Sequence, residues 1–381
     1  MKRILIIAGE ASSDMHAANL VRNIKTLDAD ISFFGLGGDK MKEAGVDLLE
    51  NILHLAFIGP GGLFKHYLTL RKIYGSLCAQ LTQDPPDCAI LIDYAEFNLR
   101  VAKHLKSLGV RVIYFISPQV WAWGLWRVKT IRRLVDRVLV LFKFEEELYK
   151  AHGVDVAFVG HPLLDMVKTS DTRDQARNNL GISGDAKLVG ILPGSRIAEI
   201  KNMLPVMLAA CEMITKKLAG ARIEFILPLA PTIDESCIRE FMDSCPLNIK
   251  VVKDHIYDGI NACDCAMVTS GTATLETALL GVPMAIIYKT NFLTYFMTKN
   301  LITLPYIGLV NVVAGENLVP EFLQHEADPA KISEYMIRLL TDRDLADSMR
   351  KRFLEIKDSL GAPGASRRAA SQVIDFLSKT Q

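Results

Sequence analysis

Short runs of apolar residues alternate with amphipathic segments along the first part of the chain. The runs occupy residues 4–7, 31–34, 88–92, 110–116, 137–142 and 157–159. Because they lack polar alternation, they are typical of strands buried on both faces of a parallel sheet, and the segments between them suit crossover helices. The pattern therefore predicts a Rossmann-like domain in this part of the chain.

The pattern pauses in a polar segment at 168–179 and then restarts. New apolar runs follow at 187–192, 222–227, 249–252, 265–268 and 283–287. Beyond Gly361, apolar residues at helical spacing predict a closing helix that packs back on the N-terminal half. We expect an α/β protein in which two Rossmann-like domains, 1–167 and 168–360, face each other across a cleft and a helix at 361–381 follows.

Composition and charge exclude several classes of protein. The 381 residues are 50 % hydrophobic, which excludes disorder for most of the chain. Lys and Arg total 44 against 43 Asp and Glu, so the chain lacks the basic excess of a nucleic-acid-binding protein. The seven cysteines form no C-x-x-C pair, which predicts reduced thiols, a cytoplasmic location and no zinc site. The longest uncharged stretches have 15 and 16 residues, fewer than the roughly 20 that a spanning helix needs.

Ligands of doubly wound folds bind beyond the carboxyl ends of the strands, so the residues that follow each apolar run are the candidates for chemistry. After the run at 187–192 come Gly194, Ser195 and Arg196, a tight turn and helix start. Backbone N–H groups of such a turn and the Arg196 guanidinium would bind a phosphate. The sequence therefore predicts an anion site at this turn.

A second turn of this kind follows the run at 265–268, with Ser270, Gly271, Thr272 and then Glu276. Phosphate on the N–H groups of Gly271 and Thr272, with ribose hydroxyls on Glu276, would suit a nucleoside-diphosphate sugar. A helix capping box explains the same residues, and the two interpretations do not exclude each other.

Acidic residues follow two runs of the first half. Asp93 comes directly after the run at 88–92 and has the position of a general base, although a helix cap explains it equally well. Glu10, Ser12 and Asp14 follow the first run and suit either hydroxyl recognition or an ordinary helix cap. This turn lacks the G-x-G-x-x-G pattern, so a dinucleotide cofactor is not indicated.

Two further features have a structural and a functional interpretation. All three tryptophans, Trp121, Trp123 and Trp126, lie within six residues, where they would stack on a sugar ring or support a loop. Between 61 and 83, apolar residues recur at helical spacing beside basic residues that no acid opposes. Such a stripe suits a membrane interface or a core face. It comprises Leu63, Tyr67, Leu70, Tyr74, Leu77 and Leu81, with Lys65, Arg71 and Lys72 as its basic flank.

These segments together resemble the lipid-A-disaccharide synthase family, which are inverting GT-B glycosyltransferases of Gram-negative envelope biogenesis. The resemblance runs nearly end to end and rests on GEASSDMHAA, FFGLGG, IDYAEFN, SPQVWAW, GHPLLD, LPGSR, SGTATLE and NVVAGENLVPEFLQ. It implies transfer of 2,3-diacylglucosamine from its UDP derivative to the 6-hydroxyl of 2,3-diacylglucosamine 1-phosphate. The products are a β-1,6-linked disaccharide 1-phosphate and UDP, and neither a metal nor another cofactor is implied.

The resemblance also implies roles for individual residues. Asp93 would be the general base, Arg196 would hold the donor diphosphate with the two glycine turns, and Glu276 would bind the ribose. Asn311 and Gln324 would line the nucleotide side, and Glu10, Ser12, Asp14 and Trp123 the acceptor side. The stripe at 63–81 would contact the cytoplasmic face of the inner membrane as a peripheral enzyme does, and a homodimer with exchanged C-terminal segments is a further expectation.

Two departures from the family pattern lie in the acceptor half. Ser13 stands where the family usually has Gly, which would cost about 1 kcal/mol or more if the position required a positive φ. Ala95 stands where the family usually has Pro, which frees the backbone next to Asp93. Two other functions fit the residues less fully: a UDP-sugar 2-epimerase, which shares the fold, and a non-enzymatic protein that binds nucleotide sugars or lipids.

Overall fold

The computed structural model describes residues 2–52, 63–121, 124–290 and 305–379 of the chain. The chain divides into two compact units, Met1–Pro162 together with Leu360–Gln381, and Leu163–Ser359. Each unit is built from strands that alternate with helices. This architecture confirms the prediction of two Rossmann-like domains.

The first unit contains a parallel sheet of seven strands among its described residues, in the order β3-β2-β1-β4-β5-β6-β7. Its elements are β1 (Lys2–Ala8), α1 (Ala11–Leu27), β2 (Ile31–Gly37), α2 (Asp39–Glu43), β3 (Asp47–Asn51), α3 (Leu63–Gln83), β4 (Cys88–Ile92), α4 (Ala95–Ser107), β5 (Arg111–Phe115), α5 (Arg127–Leu134), β6 (Arg137–Val140), α6 (Lys143–Ala151) and β7 (Val156–Phe158). The central strands β1 and β4 are almost wholly buried, as uninterrupted apolar runs require.

The second unit contains a parallel sheet of six strands among its described residues, in the order β10-β9-β8-β11-β12-β13. Its elements are α7 (Leu163–Met166), α8 (Arg173–Asn179), β8 (Lys187–Leu192), α9 (Ile197–Lys217), β9 (Ile223–Pro228), α10 (Ser236–Asp243), β10 (Ile249–Val252), α11 (Ile256–Ala262), β11 (Cys265–Thr269), α12 (Thr272–Leu279), β12 (Met284–Tyr288), α13 (Leu309–Ala314), β13 (Glu321–Leu323), a 3₁₀ turn (Gln324–Glu326), α14 (Pro329–Thr341) and α15 (Arg343–Ser359).

The last helix, α16 (Ala365–Ser378), belongs to the first unit and packs against α1. Lys2 donates a hydrogen bond from Nζ to the carbonyl of Leu377 at 3.0 Å. The Arg111 guanidinium donates to the carbonyl of Phe376 at 2.9 Å and lies 4.5 Å from the centre of its ring. The C-terminal helix thus closes back on the N-terminal unit, as the helical spacing predicted.

The order of both sheets reverses at one pair of central strands. In the first unit β1 pairs with β4, and Ala8 lies opposite Ile92 at the carboxyl ends. In the second unit β8 pairs with β11, and Leu192 lies opposite Val268. At such a switch point the following loops diverge to opposite sides of the sheet and leave a crevice. Each unit therefore has one place where its topology favours a ligand.

Two strands, β3 and β13, were not indicated by the apolar runs. Both lie at the outer edge of their sheets and are only partly buried. Their sequences, DLLEN and EFL, place acidic residues beside the apolar ones, so neither strand gives a continuous apolar run. No helix of the described residues is both long enough and apolar enough to span a membrane.

Candidate functional site

The turn between β8 and α9 is built around a glycine and a glutamate. Gly194 has a φ of +112°, and a Cβ added to it would lie 2.5 Å from Oε2 of Glu199. That oxygen accepts the backbone N–H groups of Ser195 at 3.0 Å and Arg196 at 3.3 Å. The sequence predicted that these two N–H groups bind a phosphate. In the structure they donate their hydrogen bonds to Glu199 instead.

The Arg196 side chain of this turn remains available to an anion. Its guanidinium lies 3.3 Å from Oε1 of Glu199, and 75 % of the side chain is exposed. Thr232 fixes the other side of the turn, because its hydroxyl donates to the carbonyl of Ser195 at 2.8 Å. The Arg196 guanidinium is thus held at the switch point by its exposed ion pair with Glu199 and by the hydrogen bond from Thr232 to the backbone of the turn.

The turn between β11 and α12 offers backbone donors. Gly271 has a φ of +151°, a conformation that favours glycine, and Thr272 begins the helix. No described residue accepts a hydrogen bond from the backbone N–H of Thr272 or Ala273. Free N–H groups at the positive end of a helix form an anion site. Ser270 is engaged elsewhere, since its hydroxyl donates to the carbonyl of Ile307 at 2.8 Å.

One turn into α12, the Glu276 carboxylate is mostly buried. Burial raises its pKa above the usual range, and the hydrogen bond from Tyr257 opposes that shift. The Tyr257 hydroxyl on α11 donates to Oε1 of Glu276 at 3.2 Å. This bond leaves Oε2 of the carboxylate for a hydroxyl group, the partner that the ribose assignment requires.

A cavity of about 640 Å³ joins the two turns, which is within the range of roughly 300–1,000 Å³ that small-molecule sites occupy. The predicted residues Gly194, Ser195, Arg196, Ser270, Gly271, Thr272 and Glu276 all line it. Residues that the sequence analysis did not single out also line it, and they follow β9 and β10: Ala230, Pro231, Thr232, Lys253, Asp254, His255, Ile256 and Tyr257. The same strand-end rule would have found them.

In the first unit, Asp93 directly follows β4, and its backbone has a strained conformation. Asp93 and Tyr94 both have a φ of 48°, in the left-handed region that non-glycine residues rarely adopt. Asn98 donates from Nδ2 to the carbonyls of Ile92 at 3.1 Å and Asp93 at 2.8 Å, and the Tyr114 hydroxyl donates to the carbonyl of Asp93 at 2.5 Å. Three side-chain hydrogen bonds therefore hold the aspartate at the switch point.

The electrostatic surroundings of Asp93 favour a proton acceptor. Burial, and secondarily the neighbouring Glu10 carboxylate, raise the pKa of Asp93 to about 6, while a hydrogen bond from the Tyr94 backbone lowers it. A carboxylate with this pKa is mostly ionised at neutral pH and is more basic than an ordinary aspartate. The site can therefore remove a proton from a hydroxyl group.

Comparison with known proteins decides between the functions that this fold permits. Residues 4–373 match the family described as lipid-A-disaccharide synthetase. The lipid-A-disaccharide synthase of Trichlorobacter lovleyi is 42 % identical over 379 residues, which cover 100 % of this chain and 98 % of that protein. The enzyme of the same name from Geobacter sulfurreducens is 43 % identical and covers 99 % of this chain and 98 % of its own length. The chain belongs to the lipid-A-disaccharide synthetase family.

Solved structures support the fold of this family member without deciding its function. A calicheamicin glycosyltransferase superposes with a TM-score of 0.63 at 14 % identity and covers 100 % of this chain and 99 % of its own. The UDP-GlcNAc 2-epimerase of Neisseria meningitidis gives 0.61 at 13 % identity, with 99 % and 100 % coverage. Glycosyltransferases and epimerases thus share the fold. The family match makes this lipid-A-disaccharide synthetase homologue a UDP-sugar glycosyltransferase of lipid A biosynthesis.

Two residues expected on the nucleotide side lie outside the cavity lining of this synthetase homologue. Asn311 is fully buried in α13, where its Nδ2 donates to the carbonyl of Val319 at 2.7 Å and its Oδ1 accepts the N–H of Val319 at 2.9 Å. The Gln324 side chain lies against Thr290, whose N–H donates to Oε1 at 3.4 Å. Both side chains fasten loops of the second unit, and their contact with a nucleotide stays a prediction.

The residues that were predicted to lie on the acceptor side differ in their burial. Glu10 and Ser12 are exposed at the start of α1. Asp14 is 2 % exposed, and its Oδ1 accepts the N–H groups of Gly38 at 2.8 Å and Met41 at 3.2 Å, while Oδ2 accepts that of Lys40 at 3.1 Å. Asp14 therefore caps α2, a role that its sequence position did not reveal.

Ser13 causes no backbone strain in the synthetase homologue. It lies in the first turn of α1 and is absent from the described non-glycine residues with positive φ. Its hydroxyl accepts the N–H of Glu10 at 2.9 Å and donates to the carbonyl of Glu10 at 2.8 Å. The departure from glycine thus adds a helix cap, and the positive φ values of this region occur at Asp93 and Tyr94 instead.

Several expected contact residues lie outside the described part of the chain. Trp123 and the side chains of Leu63 and Tyr67 are among them. Trp121 donates from Nε1 to Oε1 of the buried Glu145 at 2.9 Å, which fits the loop-supporting interpretation. On α3, Leu70 and Tyr74 are partly buried against the core, whereas Arg71 and Lys72 are exposed.

Replacement of Asp14 tests its structural role. In Asp14→Ala the N–H groups of Gly38, Lys40 and Met41 lose a charged acceptor inside the protein. We expect the free energy of unfolding to fall by about 3 kcal/mol, measured by urea denaturation. Asp39→Ala, which removes an exposed carboxylate from the first turn of the same helix α2, should change it by less than about 1 kcal/mol. If both variants lost the same free energy of unfolding, Asp14 would not be the residue that caps α2.

Proposed function

We propose that the protein transfers 2,3-diacylglucosamine from its UDP derivative to the 6-hydroxyl of 2,3-diacylglucosamine 1-phosphate, with inversion at the anomeric carbon. The observation that carries the proposal is the family match over residues 4–373, because it includes every strand-end turn described above. The cavity between the β8 and β11 turns supports the donor assignment. The raised pKa of Asp93 supports the acceptor assignment.

The donor diphosphate would bind at the second unit. The Arg196 guanidinium supplies a cation that makes charge-assisted hydrogen bonds with phosphate oxygens. The free N–H groups of Thr272 and Ala273 at the start of α12 supply fixed dipoles for the charge that grows on the leaving phosphate. Glu276 would accept the ribose hydroxyls through the carboxylate oxygen that Tyr257 leaves free.

The chemical step needs one proton acceptor and one leaving group. The Asp93 carboxylate takes the proton of the acceptor 6-hydroxyl as that oxygen forms a bond to the anomeric carbon of the donor. The bond from this carbon to the β-phosphate oxygen breaks, and UDP leaves with the electron pair. Attack from the face opposite the leaving group gives the β-linkage.

We propose further that the enzyme acts as a peripheral protein at the cytoplasmic face of the inner membrane. Acyl chains keep both substrates in the bilayer, and the exposed Arg71 and Lys72 on α3 present two cations to an anionic surface. A homodimer with exchanged C-terminal segments is proposed on the family resemblance alone.

An assay with both substrates tests the reaction and the role of Asp93. UDP release should require donor and acceptor together. Asp93→Asn keeps the shape and an oxygen acceptor for the Tyr94 N–H but removes the base, so we expect kcat to fall at least about 100-fold. The dissociation constant of UDP, measured by calorimetry, should not change, because Asp93 is assigned to the acceptor.

Arg196→Ala is the matched contrast to this variant. Loss of its charge-assisted hydrogen bonds should raise the dissociation constant of UDP by about 10- to 100-fold. Release of UDP from the donor alone would instead favour an epimerase. A loss of UDP affinity in Asp93→Asn, or none in Arg196→Ala, would contradict the assigned roles.

The acid limb of the pH profile should report the pKa of Asp93. The base acts when ionised, so kcat/KM should rise with pH and reach half of its plateau near pH 6. Glu10→Gln removes a negative charge that raises this pKa, and the limb should therefore move to lower pH. Asp30→Asn removes one exposed carboxylate at the opposite end of the strands and should leave the limb in place. An unmoved limb in Glu10→Gln would mean that the profile reports another group.

Vesicle sedimentation tests the peripheral association. The double variant Arg71→Glu with Lys72→Glu should bind phosphatidylglycerol vesicles more weakly, because each reversal replaces an attraction of about 1 kcal/mol near an anionic surface by repulsion. Lys42→Glu with Lys103→Glu changes the net charge equally at exposed positions on α2 and α4. Equal weakening of both double variants would assign the attraction to net charge, and no weakening would remove α3 from the membrane contact.

A further inference from the structure

A second cavity, of about 330 Å³, lies between α3 and α4 and has no part in the mechanism above. Its walls are mostly apolar. Leu70 and Tyr74 come from α3, and Tyr94 and Phe97 from the start of α4. The rings of Tyr94 and Phe97 stack with centres 5.5 Å apart, and the Tyr74 ring meets Phe97 edge-on at 6.2 Å. Such a surface suits a hydrocarbon chain.

Two guanidinium groups also line this cavity. Arg71 on α3 and Arg100 on α4 are both exposed, and no carboxylate of the described residues lies within 4.0 Å of either. The acid that lines the cavity, Glu96, is neutralised by an ion pair with the Arg127 guanidinium. The lining therefore carries two cations without a counter-charge beside apolar walls.

The cavity adjoins the proposed general base. Tyr94, which forms part of its wall, directly follows Asp93 in the chain. The Tyr94 ring lies over Gly9 at the end of β1, where a Cβ would come within 2.3 Å of it. A molecule in the cavity would thus contact the residue next to the base.

We propose that this cavity holds the acceptor, with its phosphate monoester on Arg71 and Arg100 and one acyl chain against the apolar wall. The inference rests on the proposed function, since that function makes the acceptor an amphiphile with a phosphate monoester. A monoester carries between one and two negative charges at neutral pH, and two guanidinium groups match that charge. Arg71 and Arg100 are then specificity residues that select the phosphorylated acceptor.

Kinetics in neutral detergent micelles test the proposal, because such micelles offer no anionic surface. The probes are 2,3-diacylglucosamine 1-phosphate and the same lipid without its phosphate. The natural enzyme should have a higher kcat/KM for the phosphorylated acceptor. Arg100→Gln and Arg71→Gln should each lower that value by about 10- to 100-fold through KM, with the value for the other acceptor unchanged. Arg100→Lys should recover part of the preference.

Lys103→Gln is the matched control, because it removes an exposed cation from α4 outside the cavity lining. It should keep the preference for the phosphorylated acceptor and the KM of the UDP-sugar donor. Thermal unfolding should be the same for all four variants, since both arginines are exposed.

The outcomes separate this inference from the proposed function. If the natural enzyme released no UDP in an acceptor-dependent manner, the proposed function itself would be contradicted. A natural enzyme that uses both acceptors equally, or arginine variants that lose activity equally on both, would overturn the inference alone. The inference would also be overturned if Arg100→Gln kept the preference for the phosphorylated acceptor and bound phosphatidylglycerol vesicles more weakly. The Arg100 cation would then serve the membrane surface.

Discussion

The reversal of strand order at two hydrogen-bonded strand pairs is the constraint on which the sites of this protein depend. β1 pairs with β4 and β8 pairs with β11, and in each pair the following loops leave the sheet on opposite sides. The polar residues after these strands are therefore neighbours without having to pack into the core. Arg196 and the α12 N-terminus line one cavity in the second unit, and Asp93 lies close enough to Glu10 in the first for that carboxylate to raise its pKa.

The first unit maintains strain at its switch point. Three residues near the ends of β4 and β5, Asp93, Tyr94 and Ile116, have φ values of 48°, 48° and 57°. Each such residue costs on the order of 1 kcal/mol or more, so the surroundings must hold it. Asn98 and Tyr114 do so by donating to the backbone of β4, which fixes the Asp93 side chain in a half-buried position. The pKa of Asp93 is raised mainly by that burial and secondarily by the neighbouring Glu10 carboxylate.

The sequence predicted the strands that are buried on both faces and the turns that follow them, because both depend on local pattern. It did not indicate β3 and β13, since both strands mix acidic with apolar residues, and it did not distinguish the roles of Glu10 and Asp14. Those two acids lie four residues apart, yet one is exposed and the other caps α2, which is 24 residues further along the chain. Partners at that separation are set by the packing of α1 on the sheet, and no periodicity encodes them. The sequence likewise did not show that Asn311 is buried, with its side-chain amide hydrogen-bonded to the backbone of Val319.

The near-zero net charge of the chain conceals a local arrangement that matters more than the total. The Glu199 carboxylate accepts hydrogen bonds from two backbone N–H groups of the turn after β8 and also forms an ion pair with Arg196. Gly194, which has no side chain, leaves the space that this carboxylate occupies. An ion pair this exposed contributes only about 0–1 kcal/mol. A pair this weak would allow the guanidinium to exchange its carboxylate partner for a phosphate, whereas the backbone hydrogen bonds keep the turn intact. One carboxylate thus fixes the loop and leaves the cation free to bind.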